Sequence, residues 1–380
     1  MLENLEPAPK IEAAPNFRPG IEFDGTEGIA TTPGLSDKPD FDAFLIDAGF
    51  DPAEIEIVGV PKTSRWQVAR ADGAEWLTSY RFNFRKRNPD INLPALLAQA
   101  RKAKPITSKG GQDKALIVCP ADLQVGKVGS RGNSKDLVIR VMESFDRIEQ
   151  MAKAGKYEHI YILDLGDIIE SVSNKASLNQ LESNDLSPAQ QTDLAASLMF
   201  DLIKRLVKFA PITYGSVASN HCQNRMNGQQ IGRPGLDDWG IVITQQLRRL
   251  TTELGWDVTY LVPHPHDEGF AFRYGSNTVA AVHGHQVSRP DGIPKWWANA
   301  TFGNQFAAPA NLLLTAHFHH LRVEELSQHI SGGSKYWVQT TTSDNGSDWF
   351  RLTNGMDSST GIVCLELHKD KLFNGSVVKL

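Results

Sequence analysis

Five short runs place carboxylate, amide and imidazole side chains directly behind apolar, strand-like segments. Leu116–Pro120 leads to Asp122 and Gln124, and Ile160–Leu165 leads to Gly166, Asp167 and Glu170. Ile212–Ala218 leads to Ser219, Asn220 and His221, Val279–Val282 leads to His283 and His285, and Leu312–Ala316 leads to His317, His319 and His320. In an α/β sheet the carboxyl ends of strands share one rim, where sites assemble. Five polar clusters delivered to one rim describe one site. Carboxylate, amide oxygen and imidazole form a mixed O and N ligand set, which suits Mn, Fe, Zn or Mg and not a soft-metal site. A carboxylate bridging two cations about 3.5–4 Å apart would hold a hydroxide and clamp a phosphate. Metal binding lowers the pKa of water toward about 7, so a nucleophile is available near neutrality.

Each cluster alone has a plainer explanation. A strand-end Asp commonly makes a turn, and Asn favours turns too. The two His-rich runs read equally as solvated loops. The ordered set (Asp-x-Gln, Gly-Asp-x-x-Glu, Asn-His, His-Gly-His, His-x-His, each behind a strand) is what argues for a site.

The elements that must position these residues begin near residue 114. Lys114–Pro120 and His159–Leu165 have the composition of buried strands. Ser134–Lys156 is an amphipathic helix with Leu137, Val141, Phe145, Ile148 and Met151 on one stripe. A second helix starts at Ser187 as cap and Pro188 in its first turn. Residues 236–256 give a third helix, and 270–285 a hairpin. Past about residue 320 only short strands are expected. Upstream, residues 1–38 are rich in Pro, Gly and Ala without an apolar period, and read as a disordered or loosely attached arm. Residues 39–90 read as a small α+β module with one helix and short strands, and 91–113 as a basic linker. The catalytic domain would span 114–380. In the module, Tyr80, Phe82 and Phe84 alternate with Arg81, Asn83 and Arg85. One reading is a half-buried strand with a solvated basic face. The other is a nucleic-acid surface, since cations suit the backbone and aromatics the bases.

Bulk properties bound the rest. No apolar run reaches about 18 residues, so no membrane span is expected. Residues 1–15 lack the basic start and apolar stretch of a secretory signal. Cys119, Cys222 and Cys364 are far apart, which argues against a disulfide framework and for a reducing cytoplasm. Net charge is −5, but residues 1–57 carry 13 acidic and 3 basic side chains. The remainder is therefore mildly basic, in keeping with a polyanionic substrate.

With these motifs in order, the sequence resembles the calcineurin-like metallophosphoesterases over roughly residues 114–325. That pattern runs D-x-H, G-D-x-x-D/E, G-N-H, H, and G-H-x-H. The resemblance implies a four-layer α-β-β-α sandwich, here with a small N-terminal appendage. It implies two divalent cations, Mn first and Mg, Fe or Zn as alternatives. Asp122, Gln124, Asp167 and His319 would hold one; Asp167, Asn220, His283 and His317 the other, with Asp167 bridging. His221 would contact the phosphate and protonate the leaving oxygen, and Glu170 would fix its tautomer.

Three departures stand out. Gln124 replaces the first-block His, which weakens that site and favours harder ions. Ser219 and Ala316 replace glycines. The block order is also similar to the SbcD-type nuclease branch, including phage-borne members. That similarity implies a metal-dependent phosphodiesterase acting on DNA by a two-metal-activated hydroxide. By the same analogy it implies a homodimer and an ATPase partner. Arg131, Lys135, Arg225 and residues 346–349 are candidate phosphate or base contacts, or solvated loop residues. The alternatives are a phosphodiesterase for cyclic or signalling nucleotides, its pocket closed by a 286–305 loop carrying Trp296 and Trp297, and a metal-bound interaction module without turnover.

Overall fold

A computed structural model of the chain describes residues 19–25, 27–70, 73–86, 111–171, 183–226, 229–330, 332–346, 351–352, 355 and 357–380. The chain divides into two compact units, Met1–Asp90 and Ile91–Leu380.

The first unit is an antiparallel sheet with one helix against it. Its strands are β1 (Gly20–Phe23), β2 (Glu27–Thr31), β3 (Ile55–Arg70) and β4 (Gly73–Lys86), in the order β1-β2-β4-β3. Helix α1 (Phe41–Asp47) starts where the Asp40 carboxylate accepts the backbone N–H groups of Asp42 and Ala43. It stops at Gly49, whose φ of 88° an L side chain resists. Gly20–Phe23 and Glu27–Thr31, expected as part of a disordered or loosely attached arm, instead form β1 and β2. Their segments are too short to carry a period of their own; β4 supplies the register. Where short strands were expected in this module, residues 55–70 form one long strand, interrupted by an irregularity between Val58 and Lys62. Pro61, with no N–H to donate, lies within it.

The second unit is α/β. A six-stranded sheet takes the order β10-β7-β6-β5-β16-β17. Its strands are β5 (Gln112–Cys119), β6 (Tyr157–Asp164), β7 (Ile212–Ser216), β10 (Val258–Leu261), β16 (Val363–His368) and β17 (Val377–Lys379). A five-stranded sheet takes the order β11-β12-β13-β15-β14. It comprises β11 (Phe270–Tyr274), β12 (Asn277–Ala281), β13 (Leu312–Thr315), β14 (Arg322–Gln328) and β15 (Ser334–Gln339). A minimal ladder, β8 (Arg225–Met226) with β9 (Gln229–Gln230), stands apart. The helices are α2 (Ser134–Gly155), α3 (Pro188–Leu206), the single turn α4 (Pro234–Asp237), α5 (Trp239–Glu253) and α6 (Ile293–Phe302). Both α2 and α3 open with a capping box, at Asn133 and Ser187.

Strand alternation builds the packing. On β5, Leu116 and Val118 face the helices, while Ala115, Ile117 and Cys119 face the second sheet. On β13, Leu312 and Leu314 join that inter-sheet core, while Leu313 packs with Trp297 of α6. Strands buried on both faces read as continuous apolar runs, as these do. The α2 stripe of Leu137, Val141, Phe145 and Ile148 is fully buried, with Met151 at its edge. Each of the four contributes on the order of 1.5–3 kcal/mol. The segment 286–305, expected as a closing loop, holds α6 and a 3-10 turn (Pro290–Gly292) before it. Trp297 is a core side chain there and donates its Nε1–H to Ala307 O at 2.9 Å. Among the described residues no helix is long and apolar enough to cross a membrane.

Candidate metal centre

Strands β5, β6 and β7 are mutually parallel, and so are β12, β13 and β15. The loops at their carboxyl ends meet. Asp122 N donates to Gly166 O at 3.0 Å and Gln124 N to Asp167 O at 2.8 Å, so the loops after β5 and β6 are zipped together. The third loop is tied in by Ser219, whose Oγ accepts from Asp167 N at 2.8 Å. The resemblance has glycine at this position; the hydroxyl gives the serine a structural task. His221 N then donates to Asp167 Oδ1 at 2.9 Å, so Asn220 lies between two residues bonded to Asp167. From the second sheet, His317 N donates to Asp122 Oδ2 at 3.1 Å.

Five of the candidate residues adopt left-handed backbone conformations: Asp122, Gln124, Asp167, His317 and His319 have φ between 44° and 70°. Such conformations cost of order 1–3 kcal/mol each outside glycine and cluster at functional sites. Gly166, at φ 97°, gives the close approach that lets the loops meet. A Cβ there would lie 2.6 Å from Ser219 Cβ and 2.8 Å from His283 Nδ1.

The side chains converge. Single ligand atoms of Asp167, His283 and His317 all lie within 4.8 Å of one another. His283 Nδ1–H donates to Leu165 O at 2.7 Å, which leaves Nε2 as the titrating nitrogen, facing Asp167 Oδ2 at 3.0 Å. That contact is not aligned as a hydrogen bond, and His283 Nε2 has no hydrogen-bond partner among the described residues. The same holds for Asp122 Oδ1, 3.2 Å from His319 Nε2, and for the buried Asn220 Oδ1. A buried polar atom without a partner costs about 1–3 kcal/mol. Close, misaligned N and O pairs with an orphaned amide oxygen are what a cation's donor set presents before the cation is added.

Titration behaviour follows from this crowding. Burial opposes charge on His283, yet Asp167 and Asp122 raise it to about 9. Burial also opposes ionisation of Asp167, but His283 and His221 hold it well below the carboxylate range. Burial and then the charge of His283 push His317 down to about 3, so it stays a neutral donor. His221 is buried too, and Glu170 followed by Asp167 raises it to about 10. Its Nδ1 lies 3.3 Å from Glu170 Oε2 and 3.1 Å from Glu170 O. Its Nε2 faces the centre, 3.4 Å from Gln124 Nε2 and 3.9 Å from Asp167 Oδ2.

Two participants were not anticipated. Lys127 Nζ donates to Gln124 Oε1 and to Asp344 Oδ2, each at 2.6 Å. Asp344 is buried behind β15, a sixth strand end whose polar cluster (Ser343, Asp344, Asn345) followed the same rule as the other five. Burial opposes ionisation of Asp344, but Lys127 and His319 hold its carboxyl below its usual range. Other expected contacts are spoken for. Arg131 pairs with Asp357 at 2.6 Å and reaches Asp344 at 3.6 Å. His285 lies 3.5 Å from Glu268. Lys135 is exposed on α2, Arg225 donates to Gln223 Oε1, and residues 347–349 lie outside the described residues.

No protein-family model and no curated protein matches the sequence. Solved structures give remote likenesses. A Vps29 single mutant from Entamoeba histolytica aligns at 12% identity and TM-score 0.29, over 67% of this chain and 87% of its own. A predicted phosphoesterase from Streptococcus pneumoniae aligns at 13% and 0.27, over 70% and 97%. Chaetomium thermophilum Vps29 aligns at 12% and 0.26, over 69% and 94%. The functional reading rests on the site's own geometry.

Proposed function

We propose that this chain is a divalent-metal-dependent phosphoesterase acting on phosphodiesters. The observation that carries the reading is the donor set gathered at one rim, Asp167, Asn220, His283 and His317 with Asp122, Gln124 and His319 alongside, in which Asn220 Oδ1, His283 Nε2 and Asp122 Oδ1 are buried atoms without a hydrogen-bond partner among the described residues. These O and N donors fit Mn, Mg, Fe or Zn. When bound, a cation supplies Lewis-acid polarisation of a phosphate and a water of lowered pKa.

The chain's own residues divide the remaining work. Held protonated through neutrality, His221 is suited to give a proton from Nε2 to a leaving oxygen. Glu170 orients its ring from the Nδ1 side. Asp167 keeps its negative charge across the working pH range and ties three loops together.

The finer reading is a DNA nuclease. Charge supports it, because residues 58–380 carry 36 basic and 31 acidic side chains. The aromatic strand does not. Phe82 and Phe84 are buried against α1, Phe23 and Phe50, so they are core side chains and not stacking platforms. The test is turnover by Mn-loaded protein on single- and double-stranded DNA, bis-p-nitrophenyl phosphate and p-nitrophenyl phosphate. Cleavage of the small diester without DNA cleavage removes the nuclease reading. No cleavage of any substrate removes the phosphoesterase.

A further inference from the structure

We propose that Lys127 is a built-in cation of this centre. Its ammonium takes the place of one of the two metal ions that the residue pattern calls for. A single divalent-ion site then remains at Asp167, Asn220, His283 and His317. The inference rests on the metal-dependent reading above and narrows it.

Gln124 and Lys127 act as a unit. They close one turn, with Lys127 N donating to Gln124 O at 3.0 Å, and the side chain then returns to Gln124 Oε1 at 2.6 Å. That contact fixes the amide with its oxygen toward the ammonium. A flip would set an NH2 against the ammonium. A divalent ion on the same oxygen would sit a few ångströms from the fixed positive charge, in a site where little water screens it. The Lys127 side chain is 13% exposed.

Asp344 completes the lysine's seat, and it cannot withdraw. Its Oδ1 accepts Gly346 N at 3.1 Å, and Thr342 Oγ1 donates to Asp122 O at 2.8 Å. Arg140 binds Ser343 O, Asp344 O and Asn345 Oδ1, and Asn345 Nδ2 returns to Lys127 O at 2.6 Å. This loop is built to hold a carboxylate against the lysine.

Two further observations agree. Among the described residues, the group of three His and Asp ligand atoms close enough to share an ion is Asp167, His283 and His317, without Asp122 or His319. Charge also balances. Asp122, Asp167, Glu170 and Asp344 give four negative charges, against one divalent ion, one ammonium and the protonated His221. Two divalent ions plus Lys127 would leave the centre with two surplus positive charges.

The experiment is metal counting on the full chain. Protein stripped with chelator is titrated with Mn, freed of excess, and assayed by mass spectrometry of the metal and by electron paramagnetic resonance. Wild type is expected to hold one Mn per chain with a mononuclear spectrum. Lys127→Ala is expected to take up a second, weaker Mn. Adding Gln124→His is expected to tighten that Mn at least tenfold and give a spin-coupled signal. Two tightly held Mn in wild type overturns the inference while leaving the phosphoesterase standing. So does a folded double variant, checked by circular dichroism, that stays at one. No Mn in wild type overturns the metal-dependent reading itself. If neither variant folds, wild-type stoichiometry and spectrum decide alone.

Discussion

Metal affinity should depend steeply on pH, through His283. With no cation bound, Asp167 holds the His283 proton up to about pH 9, against burial. A cation can use Nε2 only after the proton leaves. At pH 7 this displacement costs a factor of about 100 in apparent affinity, roughly 3 kcal/mol. Asp167 stays ionised and His317 stays neutral over the same range, so neither adds to the slope. Apparent Mn affinity should therefore rise about tenfold per pH unit from 6 to 8 and level off near 9. Calorimetry in buffers of different ionisation enthalpy should count one proton released at pH 7.

The metal-free protein should respond with the opposite sign. The pKa of His283 is higher in the folded protein than in the unfolded chain. Its stabilisation is therefore fully present below about pH 6.5 and lost as pH rises through about 9. Counted once, on His283 and not again on Asp167, this is at most about 3 kcal/mol. Thermal melts of metal-free protein should fall between pH 6.5 and 9, while the Mn-induced increase in Tm grows. An Mn affinity flat from pH 6 to 8 would refute both the ligand role of His283 and the ion-pair account of its proton.

Three further outcomes follow from the same geometry. Asp167→Asn should abolish tight Mn binding, whereas His221→Ala should keep Mn and lower kcat by about 10²–10⁴, most for poor leaving groups; loss of Mn in His221→Ala would show that His221 is a ligand. Gly166→Ala forces a Cβ onto Ser219 and the His283 ring at a left-handed φ. It should cost about 1–3 kcal/mol in chemical denaturation and weaken Mn binding; an unchanged protein would show that the loops have slack. Phe84→Ala should destabilise the N-terminal unit by about 3–5 kcal/mol, followed by hydrogen exchange; a well-folded variant that only loses DNA affinity would restore Phe84 as a stacking residue.

The α/β architecture was legible because the central strands are buried on both faces. Such strands leave continuous apolar runs, and those runs end at the polar clusters. Helices α1, α2, α3 and α5 were legible from period or caps, Asn133 excepted. The N-terminal strands were not. Gly20–Phe23 and Glu27–Thr31 gain their order from pairing with each other and with β4, and pairing leaves no local signature. The Trp296–Trp297 segment misled for a related reason. It was expected as a loop, but Pro290 and Pro294 sit in first turns, where proline is tolerated, and the helix continues past them.

At the centre, residue types were legible and charge partnership was not. The resemblance could place Gln124 at a ligand position; it could not show that the oxygen is already engaged. Lys127 is three residues away and reads as an ordinary solvated loop lysine until Asp344 arrives from 217 residues downstream. Asp344 in turn is positioned by Arg140, Thr342 and Asn345, none of which carries a motif. The same is true of the strained backbone at Asp122, Gln124, Asp167, His317 and His319. Nothing in a single sequence marks a left-handed Asp or His. Zipped loops hold these residues there, so the donors are set before any ion arrives. A cation then need not organise the site; it must displace a proton from His283 and find Lys127 already in place. That is why pH and the identity of residue 127, more than the ligand list, should decide how many ions this chain holds.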